Sequence, residues 1–374
     1  MSQIFPAIDP DGLLEYSVVY TDRSLNHMSK AFQAVMRDIS STLKQVYNAH
    51  AVAVVPGSGT FGMEAVARQL ATDKHCLVLR NGWFSYRWTQ IFERGRIPAS
   101  STVLKAQAQN GDAQAAFAPA PLEQVLASIK AEKPQLVFAA HVETASGMLL
   151  PDDYIQAVSR AVHEVGGLMV LDCIASGALW VDMQALGVDV LLSAPQKGWS
   201  ASPCCALVML SEAAEAQVKN TVSTSFACDL GKWLEIMQAY EAGAHAYHAT
   251  MPCDALARFA QAMNEAKAIG FEQLRRQQIE LGQRVRTLLA ERGFASVAAE
   301  GFAAPGVVVA YTLDAGIKNA SKFAALGLQT AAGVPLQCDE PADFQTFRLG
   351  LFGLDKLANI ERTVATLAHA LDQL

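Results

Sequence analysis

Long apolar runs are missing from this chain. None approaches the roughly 20 residues that a membrane-spanning helix needs, and the start, Met1-Ser2-Gln3-Ile4-Phe5-Pro6, lacks the basic-then-apolar order of a secretory leader. Both absences lead us to expect a cytoplasmic protein with no membrane partner. Charge is also sparse: Asp, Glu, Lys and Arg make up 17% of the 374 residues, the formal net charge is −7, and lysines and arginines nowhere cluster. Nucleic acid is therefore excluded as the main partner, and any anion site has to be local. The seven cysteines are an odd number, Cys204 and Cys205 are adjacent, and no C-x-x-C or H-E-x-x-H spacing occurs. We expect reduced, buried thiols and no metal site.

What is present is core material. Hydrophobic residues are 51% of the chain, enough at this length for two domains. From 51 to 210, short apolar runs alternate with helical stretches, and strands are expected at 52–55, 76–79, 136–139, 168–171, 188–192 and 206–210. Such alternation implies a doubly wound α/β domain, a mostly parallel sheet covered by helices. The Ala-, Gln- and Pro-rich stretch 106–121 reads as a surface loop. Past Tyr247 the texture changes to helices ending near 268 and spanning 271–292, strands at 307–312, 328–334 and 347–351, and a last helix over 356–374. That pattern predicts a smaller C-terminal α+β domain. The divisions expected are an N-terminal arm 1–15, a large domain 16–264 and a small domain 265–374.

Two features carry chemistry. Val55-Pro56-Gly57-Ser58-Gly59-Thr60-Phe61-Gly62 is a strand end, a glycine turn and a helix start, where first-turn N–H groups and the helix dipole favour an anion. The same letters spell the dinucleotide fingerprint G-x-G-x-x-G, but the next strand ends Leu79-Arg80-Asn81-Gly82, with no carboxylate for a ribose. Arg80 facing an NADP 2′-phosphate keeps an NADP-dependent oxidoreductase as the alternative. The second feature is Asp172, at the end of one apolar run, with Lys197 twenty-five positions on, after another. A buried lysine of lowered pKa can form a Schiff base, and a buried carboxylate can hold a pyridine nitrogen protonated.

In order along the chain, Ser58-Gly59-Thr60, Asn81-Gly82-Trp83-Phe84-Ser85, Thr144-Ala145-Ser146-Gly147, Asp172, Gln196-Lys197, Tyr247-His248-Ala249-Thr250 and Phe347-Arg348-Leu349-Gly350 form a recognisable series. From about Asn26 onward the chain resembles the class V aminotransferases of pyridoxal 5′-phosphate (PLP) fold type I, especially the alanine-glyoxylate, serine-pyruvate and 2-aminoethylphosphonate-pyruvate group. The resemblance implies that Lys197 bonds the cofactor as a Schiff base and that Asp172 pairs with its pyridinium nitrogen. By the same resemblance Phe84 and Ile174 would pack on the two faces of the ring, and Thr144 would lie near the 3′-oxygen. Ser58, Gly59, Thr60 and Gln196 would hold the phosphate. Tyr247 and Thr250 would reach the phosphate in a neighbouring subunit, making the active unit a homodimer, and Arg348 would clamp the substrate carboxylate. The implied reaction is transfer of an amino group from a small donor such as alanine, serine or an aminophosphonate to glyoxylate or pyruvate. A lyase or a cysteine desulfurase-like activity on the same fold type stays open beside it. The resemblance weakens at Glu15-Tyr16-Ser17-Val18-Val19-Tyr20, where relatives carry a Gly-Pro-rich loop. His141 and His248 are expected to be structural, making local hydrogen bonds, and Glu143, which could position His141 or the substrate, is assigned no role.

Overall fold

The computed structural model describes Asp9 and residues 11–374, so most of the expected N-terminal arm lies outside the described residues. Seven strands form the central sheet: β1 (Ala51–Pro56), β2 (His75–Arg80), β3 (Ser100–Lys105), β4 (Leu136–Ala140), β5 (Leu168–Asp172), β6 (Val190–Ser193) and β7 (Cys205–Leu210). Their order is β1-β7-β6-β5-β4-β2-β3. β7 runs antiparallel to both β1 and β6, and the other four pairings are parallel. The inner strands Leu136–Ala140 and Cys205–Leu210 are apolar and buried throughout, which is what a sheet covered on both faces demands. β3 is absent from the strands that the sequence pattern predicts. Its sequence Ser-Ser-Thr-Val-Leu-Lys is mostly polar because it closes the sheet edge, where polar residues discourage pairing with another chain.

Helices cover the sheet. α1 (Lys30–Tyr47) starts where the Ser29 side chain accepts from the Phe32 N–H and ends at Asn48 in the left-handed region. It buries Phe32, Met36, Ile39 and Leu43, a spacing of four, three and four that puts all of them on one face. α2 (Gly59–Leu70) follows β1, and α3 (Trp83–Gly95) follows β2. Each therefore begins at the carboxyl end of its strand, the edge at which parallel sheets build sites.

A second sheet lies toward the C-terminus, formed by β8 (Val307–Tyr311), β9 (Ala331–Ala332) and β10 (Thr346–Gly350), with β10 antiparallel to both neighbours. The strand expected over 328–334 shrinks to the two residues of β9. The expected final helix is two, Leu354–Ala358 and Ile360–Leu371, separated at Asn359, whose side chain caps the second. The stretch 106–121 is not simply loop: Gln107–Ala108 pairs with Phe117–Ala118, and Phe117 packs into a core with Val142, Val309 and Tyr311. The helix Cys253–Ile269 crosses the expected boundary at 264/265. Its Leu256, Phe259 and Met263 belong to the core of the large sheet, while Ala266 belongs to the core shared by Leu281, Val285, Phe347 and Leu349.

Candidate active site

Strand ends bring the site together. β5 finishes on Asp172 itself, and β6 ends at Ser193, four residues before Lys197. On the neighbouring side, β1 runs into Gly57 at φ +121°, a conformation that favours glycine, and then into Ser58, the extended cap of α2. The Ser58 hydroxyl makes no bond to the α2 backbone. From the other flank α3 begins with Trp83 and Phe84, and from the C-terminal sheet β10 supplies Arg348.

These elements enclose a cavity of about 380 Å³. Ten of the twelve residues expected at the site line it: Ser58, Gly59, Thr60, Phe84, Thr144, Asp172, Ile174, Gln196, Lys197 and Arg348. Tyr247 and Thr250 do not. They sit side by side, hydroxyl to hydroxyl at 3.3 Å, and Tyr247 is 54% exposed. A larger cavity, of about 840 Å³, opens between Asp152, Asp182, Trp180 and Arg275. We place the site in the smaller one because it joins a buried carboxylate of raised pKa, a lysine of lowered pKa and the glycine turn at the strand ends.

Electrostatics mark the smaller cavity. Burial raises the Asp172 pKa to about 7; the Ile174 N–H, 2.9 Å from Oδ1, partly offsets this, and the charge of Glu143 adds to it. Burial lowers the pKa of Lys197, and the nearby Arg348 lowers it further. The Lys197 Nζ lies 5.4 Å from the centre of the Phe352 ring. Arg348 donates from Nε to the Ala332 carbonyl at 2.8 Å, and burial lowers its pKa while Glu143 opposes the shift. The Phe84 ring has two guanidinium carbons near it, Arg87 at 5.1 Å and Arg348 at 5.6 Å. At the glycine loop Arg87 Nη1 donates to Thr60 Oγ1 at 3.0 Å.

Sequence reasoning missed Arg87 and Phe352. Arg87 lies one helical turn past Phe84, a signal available from i, i+3 spacing; Phe352, two residues past Gly350, had none. Arg80, on which the NADP alternative leaned, is engaged inside the fold: it donates to Thr89 Oγ1 and the Gln337 carbonyl and lies over the Tyr86 ring. His141 is bonded away from Glu143. That imidazole meets Ser176 Oγ at 2.8 Å, and burial pushes its pKa down to about 4.

Comparisons with known proteins identify the family and the fold. The family Aminotransferase class-V matches residues 12–313. A 2-aminoethylphosphonate-pyruvate transaminase of Burkholderia ambifaria is 29% identical over 326 residues, covering 85% of this chain and 81% of that protein. An alanine-glyoxylate aminotransferase of Rattus norvegicus is 27% identical over 236 residues, 62% of this chain and 54% of that one. Among solved structures, an alanine-glyoxylate aminotransferase from Nostoc sp. superposes with a TM-score of 0.76 at 22% identity, covering 93% of this chain and 88% of its own, which establishes the fold.

Proposed function

The chain belongs to the class V aminotransferases, and on that premise we propose that it moves an amino group from a small donor, alanine, serine or an aminophosphonate, to glyoxylate or pyruvate. It is a PLP-dependent transaminase. The choice of donor and acceptor is our reading, supported by the names of the relatives. The observation that carries it is the convergence, in one cavity, of a lysine of lowered basicity, a carboxylate of raised proton affinity and a half-buried guanidinium.

The pocket fits PLP on features of its own. Gln196 Oε1 is buried with no hydrogen-bond partner among the described residues. A Cβ at Gly59 would lie 2.5 Å from Ile174 Cδ1, so any larger residue there would push the Ile174 side chain aside. The Ser58 hydroxyl remains clear of its own helix. When bound, PLP supplies an electron sink for the charge left as a substrate carbon gives up its proton.

The residues divide the remaining work. The first turn of α2, with Ser58, Gly59, Thr60 and Gln196, would hold the phosphate through N–H and polar groups, and Arg87 brings a positive charge to that end through Thr60. Phe84 and Ile174 would keep the ring flat between them, Thr144 would meet the 3′-oxygen, and Asp172 would hold a proton on the ring nitrogen. Lys197 Nζ, being easier to deprotonate than an exposed lysine, would hold the cofactor covalently and would be placed to move a proton at the substrate α-carbon. Arg348 would fix the substrate carboxylate by its planar fork. In this reading the unit is a homodimer in which Tyr247 and Thr250 serve the neighbouring site.

The visible absorption spectrum, taken with PLP and a panel of amino donors beside Lys197→Ala, tests the reading. We expect a yellow band that a small donor bleaches and glyoxylate or pyruvate restores. A protein that stays colourless with added PLP overturns it, and bleaching that no 2-oxo acid reverses points to a lyase.

A further inference from the structure

Glu143 is a carboxylate with no solvent exposure, and the roles assigned above leave it idle. Four donors converge on it. Its Oε1 accepts from the Phe84 N–H at 3.1 Å and the Ala145 N–H at 3.0 Å, and its Oε2 accepts from the Ser85 N–H at 2.8 Å and the Ser85 hydroxyl at 2.7 Å. No ion pair to Glu143 is found among the described residues. Its charge is met instead by the start of α3, where N–H groups lack helical partners and the dipole favours an anion. The fit is close: a Cβ at Gly82 would lie 2.7 Å from Glu143 Cγ, so glycine at the cap is what admits the carboxylate. The Ser85 hydroxyl in turn accepts from the Asn81 and Gly82 N–H groups, so the 81–85 turn and the carboxylate form one hydrogen-bonded unit.

We propose that Glu143 is a positioning residue of this site, holding the first turn of α3, and with it Phe84 and Arg87, in place against the cofactor pocket. The inference rests on the PLP reading for what Phe84 and Arg87 meet there, but the clamp itself lies in the chain. A carboxylate is required because every contact is a donor. In a Glu143→Gln variant the side-chain amide would turn its own N–H groups toward N–H groups and lose at least one bond. Glu143 also faces the site electrostatically, its charge opposing ionisation of Asp172 and favouring the charged form of Arg348. Phe84 thus sits where its backbone is tied to the same carboxylate that acts on both of those groups.

The test compares wild type, Glu143→Gln and Ser85→Ala, each checked for folding by thermal melt. In the holoenzymes we expect Glu143→Gln to raise the PLP dissociation constant about tenfold, the scale of one lost hydrogen bond, and to cut the visible circular dichroism of the bound cofactor by half or more. Ser85→Ala removes one of the four donors and should move both readouts the same way by less, about threefold in affinity. Trp83, the first residue of α3, reports the same turn without cofactor: its emission, taken as the difference between each PLP-free protein and its Trp83→Phe counterpart because the chain has four other tryptophans, should shift in both variants. Folded variants with wild-type dichroism, PLP affinity within twofold and unchanged Trp83 emission overturn the proposal. If Glu143→Gln does not fold, Ser85→Ala alone decides by the same readouts. A wild type that takes up no PLP defeats the functional reading instead, and the fluorescence comparison still decides whether Glu143 sets the turn.

Discussion

Replacing Arg348 probes substrate binding most directly. Its Nε is bonded to the Ala332 carbonyl on the adjacent strand, which fixes the plane of the guanidinium and presents its fork to the cavity beside Phe84. Against a substrate carboxylate the fork makes two charge-assisted hydrogen bonds, each worth about 1.5–3 kcal/mol. Lysine keeps the charge but not the plane, and it cannot bond Ala332 and a carboxylate together, so Arg348→Lys should lose about one such bond. That predicts a rise in donor KM of roughly 10- to 150-fold, since each 1.4 kcal/mol is a factor of ten. Arg348→Met should lose both bonds and raise KM by at least about a hundredfold. The assay is the half-reaction followed by bleaching of the bound cofactor, with amino acid donors against simple amines that lack the carboxylate. Both substitutions should leave simple amines nearly unaffected. A donor KM within twofold of wild type for Arg348→Lys, or equal losses with both donor types, refutes the clamp.

Lys197→Ala should bind PLP without becoming covalently attached on borohydride treatment and should turn over no donor; covalent label found at any other lysine refutes the assignment. Burial raises the pKa of Asp172 from 3.8 to about 7 in the cofactor-free fold, so its contribution to stability is full below about pH 4 and is lost as pH rises through about 7. In melts of cofactor-free protein Asp172→Asn should therefore gain on wild type by as much as about 4 kcal/mol at pH 8 and gain nothing at pH 4, three units at 1.36 kcal/mol each; an equal difference at both pH values goes against this. Gly59→Ala places a Cβ 2.5 Å from Ile174 Cδ1, which turns the Ile174 side chain toward the cavity and should weaken PLP binding in a titration, whereas Gly111→Ala, with nothing within 4 Å, should leave PLP binding unchanged.

How much of this is legible in the sequence depends on whether a residue acts at a strand end or across the fold. Asp172, Lys197 and the Ser58-Gly59-Thr60 turn follow apolar runs, so their strands announce them, and all line one cavity. The inner strands announce themselves by short, nearly unbroken apolar runs, while β3 does not, because an edge strand is selected for polarity as much as for pairing. The stretch 356–374 reads as one helix because the break at Asn359 contains neither Gly nor Pro; the Asn side chain starts a new helix by accepting the Arg362 N–H, a cap inside a helical pattern.

Arg87 and Glu143 are hidden for a different reason. Arg87 reaches Thr60 across 27 residues, and Glu143 reaches Phe84 and Ser85 across 59 and 58. Neither distance has a period. What makes Glu143 intelligible is a pair of facts that are separately uninformative: an acidic residue inside an apolar stretch, and a glycine at position 82 where a helix cap would ordinarily carry a side chain. A carboxylate cannot be buried unless donors surround it, and a helix start supplies donors only where no side chain blocks the approach. Gly82 and Glu143 therefore account for each other, and the prediction that follows is reciprocal. Gly82→Ala should displace the carboxylate and lower the visible dichroism of the bound cofactor as Glu143→Gln does, with the double variant little worse than either single one. Additive losses in that cycle would mean that the two residues act independently and that the glycine serves only the turn.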